Sequence, residues 1–301
     1  MSCSGLPENC GPSGNGSCCD SAAVPGGTFY RSYDTASDAA FPSMANPASV
    51  SAFRLDMYEV TVARFRQFVT AGMGTQSNPP VAGSGAHPNL PGSGWDASWN
   101  VSLAADTTAL IAGIHCTAQF ETYTDAPGAN ENRPMNCLSW YEAFAFCIWD
   151  GGYLPTEAEW NFVASGGGEQ RAFPWSSPAS SLTIDDSTYA SYDVGAPQKC
   201  MGDGVSGCSM SDLVPVGSKS AGNGRWGHAD LAGNTFERVL DWNAGYINPC
   251  NDCANLGPGT DRVLRGGSYS DPLSWLRTGE RDFDVPTTRF DNVGVRCARP
   301  L

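Results

Sequence analysis

Cysteine and histidine are the residue types in this sequence that could carry metal or redox chemistry. There are twelve cysteines but only three histidines, His87, His115 and His228. An even number of cysteines spread along the chain, with few histidines, favours disulfides over zinc sites, which mix both residue types or repeat Cys-x-x-Cys. Disulfides on this scale indicate an oxidising compartment, whereas the alternative is a cytosolic protein with many free thiols.

Three pairs of cysteines lie close enough along the chain to suggest that they are partners. Cys250 and Cys253 have the spacing of a redox motif but lack its strand-then-helix context, so we expect a small local disulfide loop. The four cysteines of the first 22 residues are expected to pair among themselves, in a connectivity that the sequence leaves open. The expected pairs elsewhere are Cys250–Cys253, Cys116–Cys137 and Cys200–Cys208.

Other common catalytic patterns are missing from the sequence. There is no G-x-S-x-G nucleophile elbow, no phosphate-binding glycine loop and no H-E-x-x-H pair. Two pairs of acids, Asp185 with Asp186 and Asp282 with Asp284, have no basic partner placed by a motif, so we interpret them as solvated loop acids.

The net charge of the chain limits the kinds of molecule that it can bind. Among 301 residues, 31 are acidic and 17 are basic, which gives a net charge of -14. A nucleic-acid partner is excluded because no basic footprint is available to neutralise phosphates. No apolar run approaches the roughly 20 residues that cross a bilayer, so we do not expect a transmembrane protein. The chain opens without a signal-like segment, and we expect that one was removed from a secreted, periplasmic or cell-surface protein.

Local patterns predict a few helices and short strands. Residues 53–57 alternate as a strand, and Thr61 is placed to cap a helix directly after it. Ser139 and Thr156 each precede a glutamate by three residues, which predicts two further capped helices. Residues 71–104 form a long loop in which Trp95 and Trp99 are plausible anchors.

The sequence after the helix that Thr156 caps contains frequent Gly and Pro residues and only short apolar runs. We therefore predict an α+β protein with much irregular, disulfide-stapled loop. Residues 1–22 form a cysteine-rich N-terminal tail, and residues 23–301 form a single domain.

Several segments together carry a family resemblance. In order they are VPGGTFYRSYD, LDMYEVTVARFRQFV, RPMNCLSWYEAFAFCIWDGGYLPTEAEWNFVA, FPWS, DLAGNTFERVLDW, RVLRGGSYS and VGVRCARP. Together they resemble the formylglycine-generating enzyme, or sulfatase-modifying factor, family over roughly residues 24–299. The resemblance implies a formylglycine-generating-enzyme-like, elaborated C-type-lectin-like fold. It also implies a disulfide between Cys147 and Cys297, which would stabilise the fold by about 4 to 5 kcal/mol.

The resemblance also locates the oxidation chemistry of the family, which uses Cu(I) bound by two cysteines just after the RGGS-type motif. Thiolates are the soft ligands that Cu(I) prefers. Here the two positions hold Asp271 and Leu276, so we expect no copper. A second branch of the family holds iron with three histidines, but the three histidines here lack comparable spacing. We expect no iron either.

Two loops resemble the calcium loops of the family. In the first the implied ligands are Asp230, the carbonyls of Gly233 and Thr235, and Glu237. Such a loop offers the several oxygens that Ca²⁺ requires. The alternative is a turn in which Glu237 forms a salt bridge to an arginine such as Arg238 or Arg265. In the second loop the implied ligands are Ser191, the carbonyl of Tyr192, Asp203 and the carbonyl of Val205.

The leading functional hypothesis is a calcium-stabilised binding or structural scaffold without the copper–cysteine centre. Its groove would hold a peptide, glycan or protein ligand. The alternative is an oxygen-dependent oxidoreductase with an altered metal site, using Asp271 with a histidine. A structural protein that self-associates is a third hypothesis. The residues expected to line the groove are Phe236, Ser268, Tyr269, Asp271, Trp275 and Arg277.

Overall fold

The computed structural model describes residues 2–36, 43–185, 188–195 and 199–301. Asp186, one of the acids noted above, therefore lies outside the described residues. Regular structure is sparse, as the sequence predicts. The helices are α1 (Val62–Thr70), α2 (Thr107–Ile114), α3 (Trp140–Trp149) and α4 (Glu157–Ala164). The strands are β1 (Ser21–Val24), β2 (Gly27–Tyr30), β3 (Pro47–Val50), β4 (Phe53–Asp56), β5 (Phe236–Trp242), β6 (Cys250–Asn251), β7 (Arg262–Arg265), β8 (Asp282–Asp284), β9 (Val293–Gly294) and β10 (Ala298–Arg299).

The predicted helix starts are confirmed. Thr61 accepts a hydrogen bond from the backbone N–H of Arg64 and so begins α1. Ser139 with Glu142, and Thr156 with Glu159, form the reciprocal hydrogen bonds of a capping box at α3 and α4. Each cap satisfies backbone donors that the first helical turn would leave without partners.

The strands form three small sheets. One has the order β1-β4-β10 with antiparallel neighbours, and a second has the order β2-β3-β6. The third, β8-β7-β5-β9, combines two antiparallel pairs with a parallel pairing of β5 and β9. This four-stranded sheet positions the functional site, because β5, β7, β8 and β9 all contribute residues to it.

The long loop of residues 71–104 is anchored by its tryptophans, as expected. Trp95 is 2 % exposed, and its ring centroid lies 5.5 Å from that of Trp99. Trp99 in turn packs edge-to-face on Trp140 of α3 at 5.2 Å. These rings join the largest apolar core, which lies between α1 and α3. Burial of large aromatic side chains therefore holds a segment that has little regular structure of its own.

The N-terminal tail lies against the rest of the protein. The backbone N–H of Ser2 donates to Asp150 Oδ1 at 2.8 Å, and Arg64 Nε donates to Ser2 Oγ at 3.1 Å. Arg64 Nη1 also donates to the carbonyl of Cys18 at 3.3 Å. Strand β1 begins at Ser21 and thus crosses the boundary that we expected after residue 22.

All twelve cysteines are paired in disulfides. The two tail bridges connect its four cysteines with one another, and the other four bridges are the pairs that proximity and the resemblance had suggested. The six bonds are Cys3–Cys19, Cys10–Cys18, Cys116–Cys137, Cys147–Cys297, Cys200–Cys208 and Cys250–Cys253. No thiol is left free for metal binding or oxidation.

The described α-helices are 8 to 10 residues long, which is too short for a membrane span. Throughout the described ranges, none is long and apolar enough to cross a bilayer.

Candidate functional site

A pocket of about 330 Å³ lies at the edge of the four-stranded sheet. Its floor is apolar, and its walls carry aromatic rings and carboxylates. The described residues that line it are Phe236, Leu264, Asp271, Trp275, Asp282, Phe283, Asp284, Phe290, Asn292 and Val293. Three of the six residues that we expected in a groove, Phe236, Asp271 and Trp275, are therefore brought together.

Glycine allows the chain to turn into this pocket after β7. Gly267 has a φ of 69°, and a Cβ atom built there would lie 2.8 Å from Leu276 Cδ1 and 3.0 Å from the carbonyl oxygen of Trp275. A larger residue would push away the short 3-10 helix Leu273–Leu276, which carries Trp275 to the pocket wall. The RGGS segment thus positions the aromatic wall of the pocket.

Ser268 lies beneath the pocket and orients Asp271. Its side chain is buried, and its hydroxyl donates to the Asp271 carboxylate. Asn292 Nδ2 donates to Ser268 Oγ at 3.3 Å. Burial raises the pKa of Asp271, and the charge of Asp282 adds to this effect, although the Ser268 hydrogen bond opposes it. Ser268 therefore acts on the pocket through Asp271.

Two other expected groove residues lie elsewhere. Tyr269 is 2 % exposed and packs beside Phe120, with ring centroids 5.9 Å apart. Arg277 forms an ion pair with Asp34 and lies outside the described lining of the pocket. Neither side chain is placed to touch a ligand in this pocket.

Asp282 and Asp284 correct the interpretation of these acids as solvated loop residues. They lie in strand β8, on either side of Phe283, and are partly buried in the pocket. Burial raises the pKa of both carboxyl groups. The alternation of Asp, Phe and Asp is the signal that could have placed both acids on one face of a short strand.

The two positions that would hold copper do not fit that metal. Asp271 offers only a carboxylate, a hard ligand. Leu276 is 1 % exposed and packs in an apolar cluster with Phe173, Tyr192 and Ala232. A Cu(I) site of the thiolate type therefore has neither of its two ligands here.

The first expected calcium loop contains an excess of buried negative charge. Glu59, Asp230 and Glu237 are buried around a single guanidinium, that of Arg296. Burial raises the pKa of Glu59 and of Asp230, and neighbouring carboxylates raise them further. Arg296 and the nearby Lys219 offset part of this negative charge, and these side chains do not have metal-binding geometry, so calcium in this loop stays a prediction.

The carboxylate of Glu237 is engaged by neither arginine that we named. Arg296 Nε lies 2.6 Å from Glu237 Oε2, and Trp160 Nε1 donates to the same oxygen at 2.7 Å. Arg265 stands opposite Glu237 in the strand register but places its Nε 3.3 Å from Glu157. Glu237 therefore forms a salt bridge to an arginine, as the alternative predicted, but that arginine is Arg296 and neither Arg238 nor Arg265.

The second expected calcium loop fits a metal less well. Ser191 Oγ donates to the carbonyl of Asp212 at 2.5 Å, and the Tyr192 carbonyl accepts from the N–H of Met201. Asp203 is exposed and accepts from the N–H of Val205 at 2.8 Å. Within the described residues, no group of three or more His, Cys, Asp or Glu side chains has metal-binding geometry.

The three histidines are separated and have different partners. His87 Nε2 lies 3.1 Å from Glu159 Oε1, and His115 Nδ1 lies 2.8 Å from Glu121 Oε1. His228 Nε2 lies 3.3 Å from the carbonyl oxygen of Leu55. None of them is among the described residues that line the pocket with Asp271.

Known proteins resemble this chain both in sequence and in fold. Residues 8–301 match the model of the sulfatase-modifying factor enzyme 1-like domain. The chain belongs to this family. It is 30 % identical to the formylglycine-generating enzyme of Bos taurus over 305 residues, which cover 91 % of this chain and 73 % of that protein.

One further relative in sequence and one solved structure with a similar fold are informative. The inactive C-alpha-formylglycine-generating enzyme 2 of Mus musculus is 27 % identical, over 91 % of this chain and 84 % of that protein. The structure of PvdO from Pseudomonas aeruginosa matches with a TM-score of 0.61 at 21 % identity, over 94 % of this chain and 95 % of that one. The architecture is thus the α+β, formylglycine-generating-enzyme-like fold that the sequence predicted.

Proposed function

We propose that this protein is a binding scaffold of the sulfatase-modifying factor family that has exchanged copper chemistry for ligand recognition. One observation carries the proposal. At the two positions where the family resemblance places the copper-binding cysteines, this chain has Asp271 and Leu276. Every cysteine of the chain is already in a disulfide. Without a thiolate, the protein cannot bind Cu(I) by the family's route.

The pocket lies beside Asp271, one of the two positions that would hold copper. Its aromatic and acidic walls remain open to solvent, and Ser268 still orients Asp271 from below. A concave pocket with a few convergent polar groups is the usual form of a ligand site. The mouse relative is an inactive C-alpha-formylglycine-generating enzyme 2, which supports loss of the oxidation activity within this family.

Calcium is part of this proposal for the first loop. There the Asp230 carboxylate and the carbonyls of Gly233 and Thr235 would hold the ion, with Glu237 shared with Arg296. The ion would supply positive charge to an interior with an excess of carboxylates. It would stabilise the folded protein because it binds that state and not the unfolded chain.

We further propose that the protein works outside the reducing cytosol, secreted, periplasmic or on the cell surface. Six disulfides support this location because reducing compartments keep thiols free. The ligand would be a peptide, a glycan or another protein presented in that environment.

Metal analysis and oxygen uptake test the proposal together. Protein purified without chelators should contain calcium but no stoichiometric copper or iron, and should consume no oxygen with a cysteine-containing peptide. Stoichiometric copper or iron with oxygen uptake would overturn the scaffold and support an oxidoreductase with an altered metal site.

The calcium component has its own measurement. Chelation with EDTA should lower the melting temperature of the wild type, and added Ca²⁺ should restore it. The Asp230→Asn variant should lose this response, whereas Asp203→Asn in the poorly fitting second loop should keep it. A melting temperature that changes neither with EDTA nor with added Ca²⁺ would refute a calcium site in the first loop.

A further inference from the structure

The charge of the pocket is uniformly negative. Asp271, Asp282 and Asp284 line it, and no Lys, Arg or His is among its described lining residues. Burial raises the pKa of all three carboxyl groups, and each is raised further by the charge of at least one neighbouring acid. The carboxylates therefore lack compensation by the protein on the side that faces the cavity.

The basic group behind the pocket, Arg238, lowers the pKa of Asp284 but offsets only part of the negative charge. Arg238 Nη2 lies 3.9 Å from Asp284 Oδ2, beyond hydrogen-bond distance. Its guanidinium instead donates to the backbone carbonyls of Leu138 and Thr288. Asp284 Oδ2 is buried and has no hydrogen-bond partner among the described residues. It faces Arg238 and is not accessible from the cavity, so the charge offered to a ligand comes from Asp271 and Asp282.

Aromatic side chains surround the acids and remain exposed. Trp275 is 37 % and Phe290 is 44 % exposed, so two large rings stand beside the cavity, whereas Phe283 alternates with Asp282 and Asp284 and its side chain lies on the other face of β8. Phe236 closes the base, with its ring edge-to-face to Trp275 at 6.1 Å. Large apolar side chains that gather in solvent around a cavity are typical of a binding site.

Carboxylates and aromatic faces share one preferred ligand. A positively charged nitrogen is attracted both by carboxylate charge and by the negative face of an aromatic ring. A neutral group would lack the charge attraction to both, and an anion would be repelled by the carboxylates. The cavity of about 330 Å³ suits a group of side-chain size rather than a folded domain.

We propose that this pocket binds an organic cation, an alkylammonium or guanidinium group, with its charge on the aspartates and its alkyl chain between the rings. The inference rests on the proposed function, since it names the ligand class of the same pocket. The group could belong to a free amine or to a basic side chain of a peptide, and the chemistry recognised would be the same.

Titration calorimetry with defined probes tests this inference. The probes are agmatine as a free cation and an end-blocked Gly-Arg-Gly peptide, with 1-butanol and acetate as neutral and anionic controls. We expect heat of binding with agmatine that weakens as salt is added, because salt screens charge. Binding of the peptide as well would identify a basic side chain as the source, and its failure to bind would identify a free cation. Absence of binding by both cations at about 10 mM, or equal binding of 1-butanol or acetate, would overturn the inference.

Matched variants link the binding to the pocket. Asp282→Asn and Trp275→Ala should each weaken agmatine binding by about tenfold, since each removes one of the recognising groups. Glu8→Gln makes the same change of charge at an exposed site in the tail, and Val101→Ala truncates a side chain that is 79 % exposed. Both controls should leave binding unchanged. An equal loss in the controls would show that the pocket is not the site.

The two proposals fail in different measurements. If no cation binds while the protein lacks copper, iron and oxygen uptake, the scaffold stands and the ligand class is wrong. If agmatine binds and the protein also consumes oxygen with stoichiometric copper or iron, the ligand class stands and the scaffold function is wrong.

Discussion

Arg296 and Glu237 form a fully buried, two-point ion pair at the centre of the fold. The Arg296 Nε lies 2.6 Å from Glu237 Oε2, and Nη2 lies 2.5 Å from Oε1. Both side chains are 0 % exposed. Arg296 Nη2 also donates to the carbonyl of Ala229 at 2.8 Å. The pair therefore connects strand β5, the C-terminal segment and the loop before Asp230.

We predict that Arg296→Met destabilises the protein severely. Removal of one partner leaves a buried carboxylate without its countercharge, which typically costs about 3–5 kcal/mol. The free energy of unfolding in urea measures the effect. Arg225→Ala is the control, because its ion pair with Glu169 is about 40 % exposed on both sides and should be worth about 1 kcal/mol or less. Equal effects of the two substitutions would contradict this assignment.

The disulfides should contribute different amounts to the free energy of unfolding, according to the length of the loop that each closes. Cys147 and Cys297 are 150 residues apart, whereas Cys250 and Cys253 are three apart. In the chain-entropy model the first bond contributes about 5 kcal/mol and the second about 2 kcal/mol. We expect Cys147→Ala/Cys297→Ala to lower the unfolding free energy well below that of Cys250→Ala/Cys253→Ala. The reverse order would show that local strain, and not loop length, dominates.

Two substitutions should restore affinity for Cu(I). Asp271→Cys with Leu276→Cys supplies the pair of soft thiolates that the resemblance implies. We expect the double variant to bind Cu(I) in competition with a chelator, whereas the wild type and the single variant Leu276→Cys do not. Leu276 is buried, so its replacement should also cost about 2 kcal/mol or more of stability. Stoichiometric Cu(I) on the wild type would refute the prediction.

His87 should make part of the stability depend on pH. Burial opposes its protonation, but the hydrogen bond to Glu159 and the charge of that group prevail, so the pKa of His87 is raised. Because the pKa of His87 is higher in the folded than in the unfolded protein, protonation of His87 stabilises the fold. This contribution is complete below the unfolded value of about 6.5 and is lost as the pH rises through the folded pKa.

The His87→Gln variant isolates that contribution. The difference in unfolding free energy between wild type and His87→Gln should shrink as the pH is raised from about 5.5 to about 8.5. His115→Gln serves as the comparison, because the side chain of His115 is 29 % exposed and its ion pairs are worth less. A difference for His87 that is constant over this pH range would disprove the role.

The sequence predicted those elements whose signals are local. Ser139 and Thr156 predict the starts of α3 and α4, because a capping box needs only four consecutive residues. Helix α2 was not anticipated, although Asp106 caps it and Leu110 and Ile114 are buried on one side. Its eight residues come after a long glycine-rich loop, and so short an apolar pattern is easily overlooked.

Contacts distant along the chain could not be predicted in the same way. Two-residue strands such as β6 and β9 have no periodic pattern, so their parallel pairing with β3 and β5 is fixed only by the folded chain. Glu237 illustrates the consequence. Arg238 is its chain neighbour and Arg265 is its cross-strand neighbour, yet both donate to other acceptors. Arg296, which lies two residues beyond its parallel neighbour Gly294, takes the carboxylate because both side chains share one face.

The Cys147–Cys297 bond also determines the fate of a chain whose backbone has been cut. It encloses residues 148–296, which include the pocket and the proposed calcium loop. A protease that cleaves once within this span produces two fragments that stay covalently joined. The nicked protein would migrate as a single species until a reductant is added, so its lifetime in the presence of proteases would be set by the integrity of one sulfur–sulfur bond rather than by the survival of every surface loop.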